Sequence, residues 1–88
     1  MSLREKFLDA LIDGRIGRNG VVSRKEFMTF FHEEKKTYTG VFLSNSEMQT
    51  GQHSPTYEHF TVRVGKGVYR VHHRALSERR RERGDPGT

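Results

Sequence analysis

Five histidines, a spaced run of glycines and sixteen lysines and arginines are the residues of this 88-residue sequence with chemistry to offer. The histidines do not read as a ligand set. His72 and His73 are adjacent, and in a strand adjacent side chains leave opposite faces, so they are expected not to share an ion. His53 and His59 are separated by turn-forming sequence. His32 stands beside Glu33 and Glu34, and consecutive positions on a helix diverge. There is no cysteine, which excludes zinc fingers, a thiol nucleophile and a disulfide framework. Gly14, Gly17 and Gly20 recur every third residue, but the Gly-Lys-Ser/Thr ending of a phosphate-binding loop does not follow. They read as a turn. The serines lack a nucleophile elbow. The pair His53 and His59 offers acid–base groups, but proton transfer needs a geometry that spacing alone does not supply. The chain is therefore read as a non-enzyme without metal or cofactor.

The cations carry more information. Net charge is +5, and its placement is uneven. Residues 1–62 hold eight Lys/Arg and eight Asp/Glu, whereas residues 63–88 hold eight Lys/Arg against Glu78, Glu82 and Asp85. A concentrated positive field attracts polyanions. A solubilising tail explains a charge run equally well, so the elements that position these residues must be considered.

Leu3, Phe7, Leu8, Leu11 and Ile12 form one helical stripe, and Ser2 can cap it; a first helix is expected from Ser2 to Asp13. Val21-Val22 supports only a stub of strand. Ser23-Arg24-Lys25-Glu26 matches a capping box and predicts a helix from Arg24 to His32, with Phe27, Phe30 and Phe31 facing the first helix. Thr37 is the expected N-cap of a third helix whose Tyr38, Val41 and Phe42 share the inward face; Gly40 makes it weak by propensity. Asn45 to Tyr57 is rich in turn formers and reads as a loop. Phe60, Val62 and Val64 alternate with Thr61 and Arg63, and Val68 and Val71 follow a Gly65-Lys66-Gly67 turn, which predicts a β-hairpin with those apolar residues in the core. Arg74 to Arg83 is expected to carry a short helix starting near Ala75, and Gly84 to Thr88 a frayed end.

Helix, stub strand, two helices, loop and hairpin is the order of a winged helix-turn-helix: mainly α with a small β-hairpin, three helices plus a two-stranded wing. Residues 1–74 would form this domain and 75–88 a basic, partly flexible helix and tail. The stretch His59 to Val71, with its alternating strand, Gly-Lys-Gly turn and aromatic second strand, resembles the closing wing of HARE-type helix-turn-helix domains, which accompany restriction endonucleases and chromatin and transcription proteins. Ser23 to Phe27 is similar to that family's second helix. The resemblance spans Leu3 to Val71 in layout and about thirteen residues closely. It implies DNA binding and no catalytic residues.

On this reading the partner is double-stranded DNA. Lys36 just before the third helix and Thr39, Ser44 and Asn45 on it meet bases or phosphates, and Gln49, Gln52, His53 and Ser54 contribute from the loop. Arg63 and Lys66 contact phosphates from the wing, and Arg79, Arg80 and Arg81 from the tail. A reader of a modified base, in a restriction or transcription setting, is a narrower version. A nuclease or another protein is a further partner, and a protein-binding adaptor without DNA contact is the alternative. No apolar stretch reaches the ~18 residues of a membrane span, and the N-terminus lacks the apolar core of a signal peptide. A cytoplasmic location without a membrane partner follows. Oligomeric state and site sequence are left open.

Overall fold

Ser2 starts the first helix as its sequence requires. In the computed structural model, which describes residues 1–86, its hydroxyl accepts from the Glu5 N–H at 3.2 Å and the Glu5 carboxylate accepts from the Ser2 N–H at 2.9 Å. This reciprocal cap opens α1 (Leu3–Ile12), which buries Leu3, Phe7, Leu8 and Ala10. Four residues at positive φ, Gly14, Gly17, Asn19 and Gly20, then turn the chain back. Gly17 is required there: a Cβ would lie 2.5 Å from the Val21 carbonyl oxygen. Ile16, inside this turn, is buried in the core although no periodicity marks it.

β1 (Val21–Ser23) leads directly into α2 (Arg24–Phe30). Ser23 caps α2 by accepting from the Glu26 N–H at 3.0 Å. The expected reciprocal bond is not made. The Glu26 carboxylate accepts from the Gly17 N–H at 2.9 Å instead, and fastens the glycine turn to the helix. α2 ends two residues before its predicted limit, because Phe31 leaves helical dihedrals (φ −99°, ψ 40°). That change of direction splits the phenylalanine stripe. Phe27 and Phe31 are buried, whereas Phe30 is 37% exposed and is not the core residue its spacing predicts.

α3 (Lys36–Asn45) carries a second correction. Its N-cap is Lys35, with no side-chain cap, and Thr37 lies inside the helix. The inward face is Thr39, Phe42 and Leu43, while Tyr38 and Val41 are 50% and 44% exposed. Phe42 belongs to both candidate stripes, and tertiary contacts decide between them. The Thr61 hydroxyl donates to the Leu43 carbonyl at 3.0 Å, and Thr39 is small enough to lie buried with its own hydroxyl directed at the Lys35 carbonyl.

The hairpin, β2 (Thr61–Gly65) and β3 (Val68–Val71), does not stand alone. β1 adds to the outer edge of β3, giving a three-stranded antiparallel sheet in the order β1-β3-β2, with Val22 opposite Tyr69 and Arg63 opposite Tyr69 on the other side. The chain is thus an α+β domain of four helices and a three-stranded sheet among its described residues, rather than three helices and a two-stranded ribbon. The inward strand residues are Thr61, Tyr69 and Val71, whereas Val62 and Val68 are half-buried and Val64 is exposed. Strand alternation fails at the start of β2. The Phe60 and Thr61 N–H groups both donate to the Ser46 carbonyl, at 2.8 and 2.9 Å, so two consecutive side chains enter the core.

α4 (His73–Arg83) begins two residues earlier than predicted, because the His72 Nδ1 accepts from the Arg74 N–H at 3.1 Å and caps it. His72 and His73 leave the strand there, and their rings stack at 4.5 Å instead of diverging. Ala75 is buried in the core and Leu76 packs against it, so the C-terminal segment is part of the packed body at least to there. Of the expected frayed end, Gly84 is the left-handed cap of α4, and Gly87 and Thr88 lie outside the described residues.

The helices meet on one aromatic cluster. The Phe27 ring stacks on Phe42 at 5.2 Å with 9° between planes, takes the edge of Phe7 at 5.0 Å, and neighbours Phe31 at 4.9 Å. Truncating a fully enclosed phenylalanine costs about 3–5 kcal/mol, a large share of the stability of a small domain. Phe27→Ala should therefore unfold much of the population in a thermal or urea melt. Phe30→Ala, at an exposed position, should cost about 1 kcal/mol or less. Equal losses at the two positions would contradict this packing.

Candidate nucleic-acid interface

One surface collects cations that no carboxylate pairs among the described residues, and backbone geometry holds it together. The turn of the hairpin is tied to α2 by a 2.7 Å bond from the Arg24 N–H to the Gly67 carbonyl. The Arg24 side chain then crosses to α3, where its Nε donates to the Gly40 carbonyl at 2.7 Å. This explains the helix-weakening glycine. A Cβ at position 40 would lie 3.0 Å from an Arg24 terminal nitrogen, so glycine leaves room for the guanidinium against the helix. Lys66, Arg24 and the outer face of α3 are thereby neighbours.

Arg24, Lys25, Met28, Thr29, His32 and Lys36 line an open groove between α2 and α3. None of its cations pairs with a carboxylate among the described residues. The start of α3 adds to the field. It has no side-chain cap and no acidic residue in its first turn, and Lys35 and Lys36 sit there. Cations at a helix N-terminus oppose the helix dipole, so this arrangement works against local helix stability. It suits an external anion instead.

Of the predicted site residues, Lys36, Ser44, Asn45, Arg63 and Lys66 are exposed on α3 and the hairpin. Ser44 donates to the Val41 carbonyl at 3.1 Å and keeps its oxygen free to accept. Arg63 folds back to its own turn, donating to the Gly65 carbonyl at 3.3 Å. Thr39 does not belong with them, because it is 1% exposed and faces the core. The outward face of α3 is Thr37, Val41 and Ser44 instead. The residues missed by sequence reading are Arg24, Lys25 and Thr37. The two cations directly after a capping serine were the available signal.

The loop after α3 is organised from within. The Gln52 side chain accepts from the Gln49 N–H at 2.9 Å and donates to the Ser54 and His59 carbonyls at 2.8 and 2.9 Å. Those bonds occupy the amide that was expected to read a base. The Ser54 hydroxyl accepts from Arg74 at 3.0 Å. Gln49 and His53 are exposed, but the loop's side-chain contacts, through Ser54 and Tyr57, run to the N-terminal ends of α4 and α1.

The C-terminal arginines divide into two groups. Arg79 grips Asp9 with two bonds, at 2.7 and 3.0 Å, and also reaches Glu5 and Glu82. Arg83 holds Asp13 at 2.9 Å and Asp85 at 3.3 Å. Glu5, Asp9 and Asp13 recur every fourth residue along α1 and face two arginines four apart on α4. Arg79 is therefore a clamp between helices and not a free phosphate ligand. Arg80 is half-buried and Arg81 exposed, and neither is paired among the described residues. No family model matches the chain, and comparison with curated proteins and with solved structures gives no match.

The clamp has a pH signature. The Arg79 hydrogen bonds hold the Asp9 carboxyl below its ordinary value, and Asp9 raises the Arg79 guanidinium in turn. A carboxyl depressed in the folded state contributes stability that is complete above its unfolded pKa and lost as pH falls through the folded one. Arg79→Ala should cost on the order of 2 kcal/mol at pH 7, since it leaves the mostly buried Asp9 carboxylate with only the longer 3.5 Å contact to Arg83. The gap to wild type should begin to narrow below about pH 4, the ordinary carboxyl range, and close as pH falls on through the depressed Asp9 value. Melts at pH 7 and pH 3 check this. A pH-independent gap would mean that the loss comes from packing alone.

Proposed function

We propose that this chain is a winged-helix-type module that binds double-stranded DNA as a non-enzyme, with α3 facing the major groove and the β2–β3 hairpin as its wing. The observation that carries the reading is the tie from Arg24 to Gly67 and Gly40, which sets Lys66, Arg24, Lys25 and Lys36 around one exposed helix face. The likeness of residues 59–71 to the closing wing of HARE-type domains supports the same assignment. Phosphate contacts set position, and base-edge contacts set preference. Lys66, Arg24, Lys25 and Lys36 take the first role, together with the uncapped start of α3. Ser44 and Asn45 take the second, with Thr37 beside them. Serine and threonine pair with several base edges and asparagine with adenine. The Val41 side chain, exposed in the middle of that face, suits contact with a thymine methyl group.

On this assignment the C-terminal helix serves mainly to brace α1. Truncation after Leu76 would remove the clamp and lower stability before it changed affinity. An adaptor role, in which exposed Tyr38 and Val41 meet a protein instead, is the competing outcome.

A salt titration of duplex binding separates the two. Wild type should bind a random duplex at low salt and lose affinity steeply as salt rises, by counterion release. Lys66→Ala should weaken all duplexes alike and flatten the plot of log K against log salt by roughly one unit. Asn45→Ala should penalise a selected duplex more than a scrambled one. Absence of duplex binding by wild type at low salt would remove the DNA reading and leave the adaptor role.

A further inference from the structure

We propose that Arg4 is the anchor of a second site, a cleft that takes an oxyanion group, carboxylate or phosphate ester, carried on a flat aromatic body. The cleft, about 260 Å³, opens between the start of α1, the last turn of α3 and the 46–60 loop. Arg4, Tyr38, Phe42, Asn45, Tyr57 and Phe60 form its walls, with Ser2, Ser46 and Glu58 also contributing.

Arg4 is only 8% exposed, yet no carboxylate pairs with it among the described residues. Its Nε is buried and donates to nothing. The guanidinium instead lies between two rings, 4.3 Å from the Tyr57 centroid and 5.1 Å from Phe60. A buried cation without hydrogen-bond partners is costly, and ring faces offset only part of that cost. A long apolar side chain would fill the same space without that cost. The unused donors therefore point to something outside the chain.

A planar guanidinium matches the paired oxygens of a carboxylate or phosphate, and it is worth most where water is excluded. The walls select the rest of the ligand. Tyr38 and Tyr57 are half-exposed or more and offer apolar ring surface to a flat body, over a floor of buried Phe42 and Phe60. Ser2, Asn45 and Ser46 supply polar edges. Glu58 is the one carboxylate on the lining, and it disfavours a ligand of high negative charge, so a single anionic group is the fit. This site is separate from the cationic field of the duplex reading, although Asn45 borders both. It uses none of the Arg24, Lys25, Lys36 or Lys66 cations.

Benzoate and phenyl phosphate are the probes, with uncharged benzamide as control, and the readout is the Arg4 Nε–H and Tyr57 ring resonances in NMR titrations of the whole chain. Saturable shifts are expected with at least one anion and not with benzamide. Which anion binds tells carboxylate from phosphate. Arg4→Met should lower affinity at least tenfold while melting at or above the wild-type temperature, and Arg4→Lys should recover part of the affinity. Lys66→Ala should leave these shifts unchanged, which keeps the outcome separate from that of duplex binding. The proposal is overturned if neither anion produces saturable shifts, if benzamide binds as well, or if Arg4→Met melts far below wild type and so marks Arg4 as part of the fold.

Discussion

The stack of Phe27 on Phe42 is the contact from which the rest of this structure follows. α2 has only seven residues, and a helix so short does not persist in water without tertiary support. Phe27 supplies that support by meeting α1 through Phe7 and α3 through Phe42. The same stack sets the rotation of α3. With Phe42 flat against Phe27, Thr39 and Leu43 turn inward, and Thr37, Val41 and Ser44 must turn out. Core packing therefore chooses which face of a weakly amphipathic helix is left exposed.

From that core, two backbone acceptors carry order to the surface. Gly67 accepts from the first residue of α2, and Gly40 accepts from its side chain. Arg24 thus joins three elements whose side chains would otherwise be unrelated. The electrostatics of the two sides of the molecule then differ. On the α1–α4 side, Arg79 and Arg83 are matched against Glu5, Asp9 and Asp13 and are internal to the fold. On the α2–α3 side the cations are unmatched and cluster where a helix start already favours anions. Part of the C-terminal excess of charge is thus matched within the fold, while Arg24, Lys25 and Lys36, from the charge-balanced first two-thirds of the chain, form the exposed field together with Lys66.

Element order, the two capping serines and the Gly-Lys-Gly hairpin were legible because each rests on local chemistry. What escaped depends on partners distant in sequence. The α3 face was ambiguous because Phe42 serves two stripes, and only the packing against α2 and β2 decides between them. Phe30 shares the stripe by spacing, but Phe27 and Phe31 pack together in the core and leave Phe30 exposed at the last position of α2. The third strand was seen as a stub, since three residues acquire strand character only by pairing with β3. At the candidate site, Lys36, Ser44, Asn45, Arg63 and Lys66 are exposed as composition suggested. Thr39, Gln52 and Arg79 are taken by internal bonds that no spacing rule reveals. The fourfold acidic spacing on α1 and the Arg79–Arg83 pair were visible, but their complementarity needs α4 folded back along α1.

On the proposed function, duplex DNA meets the face built by α3, the start of α2 and the hairpin turn. Backbone amide chemical shifts of the whole chain, followed as a short duplex is added at low salt, test it most directly. The largest changes are expected at Arg24, Lys25, Lys36, Thr37, Ser44 and Lys66, with Asp9, Arg79 and Arg83 nearly unmoved. Changes concentrated along α1 and α4, or none at any residue, would contradict it.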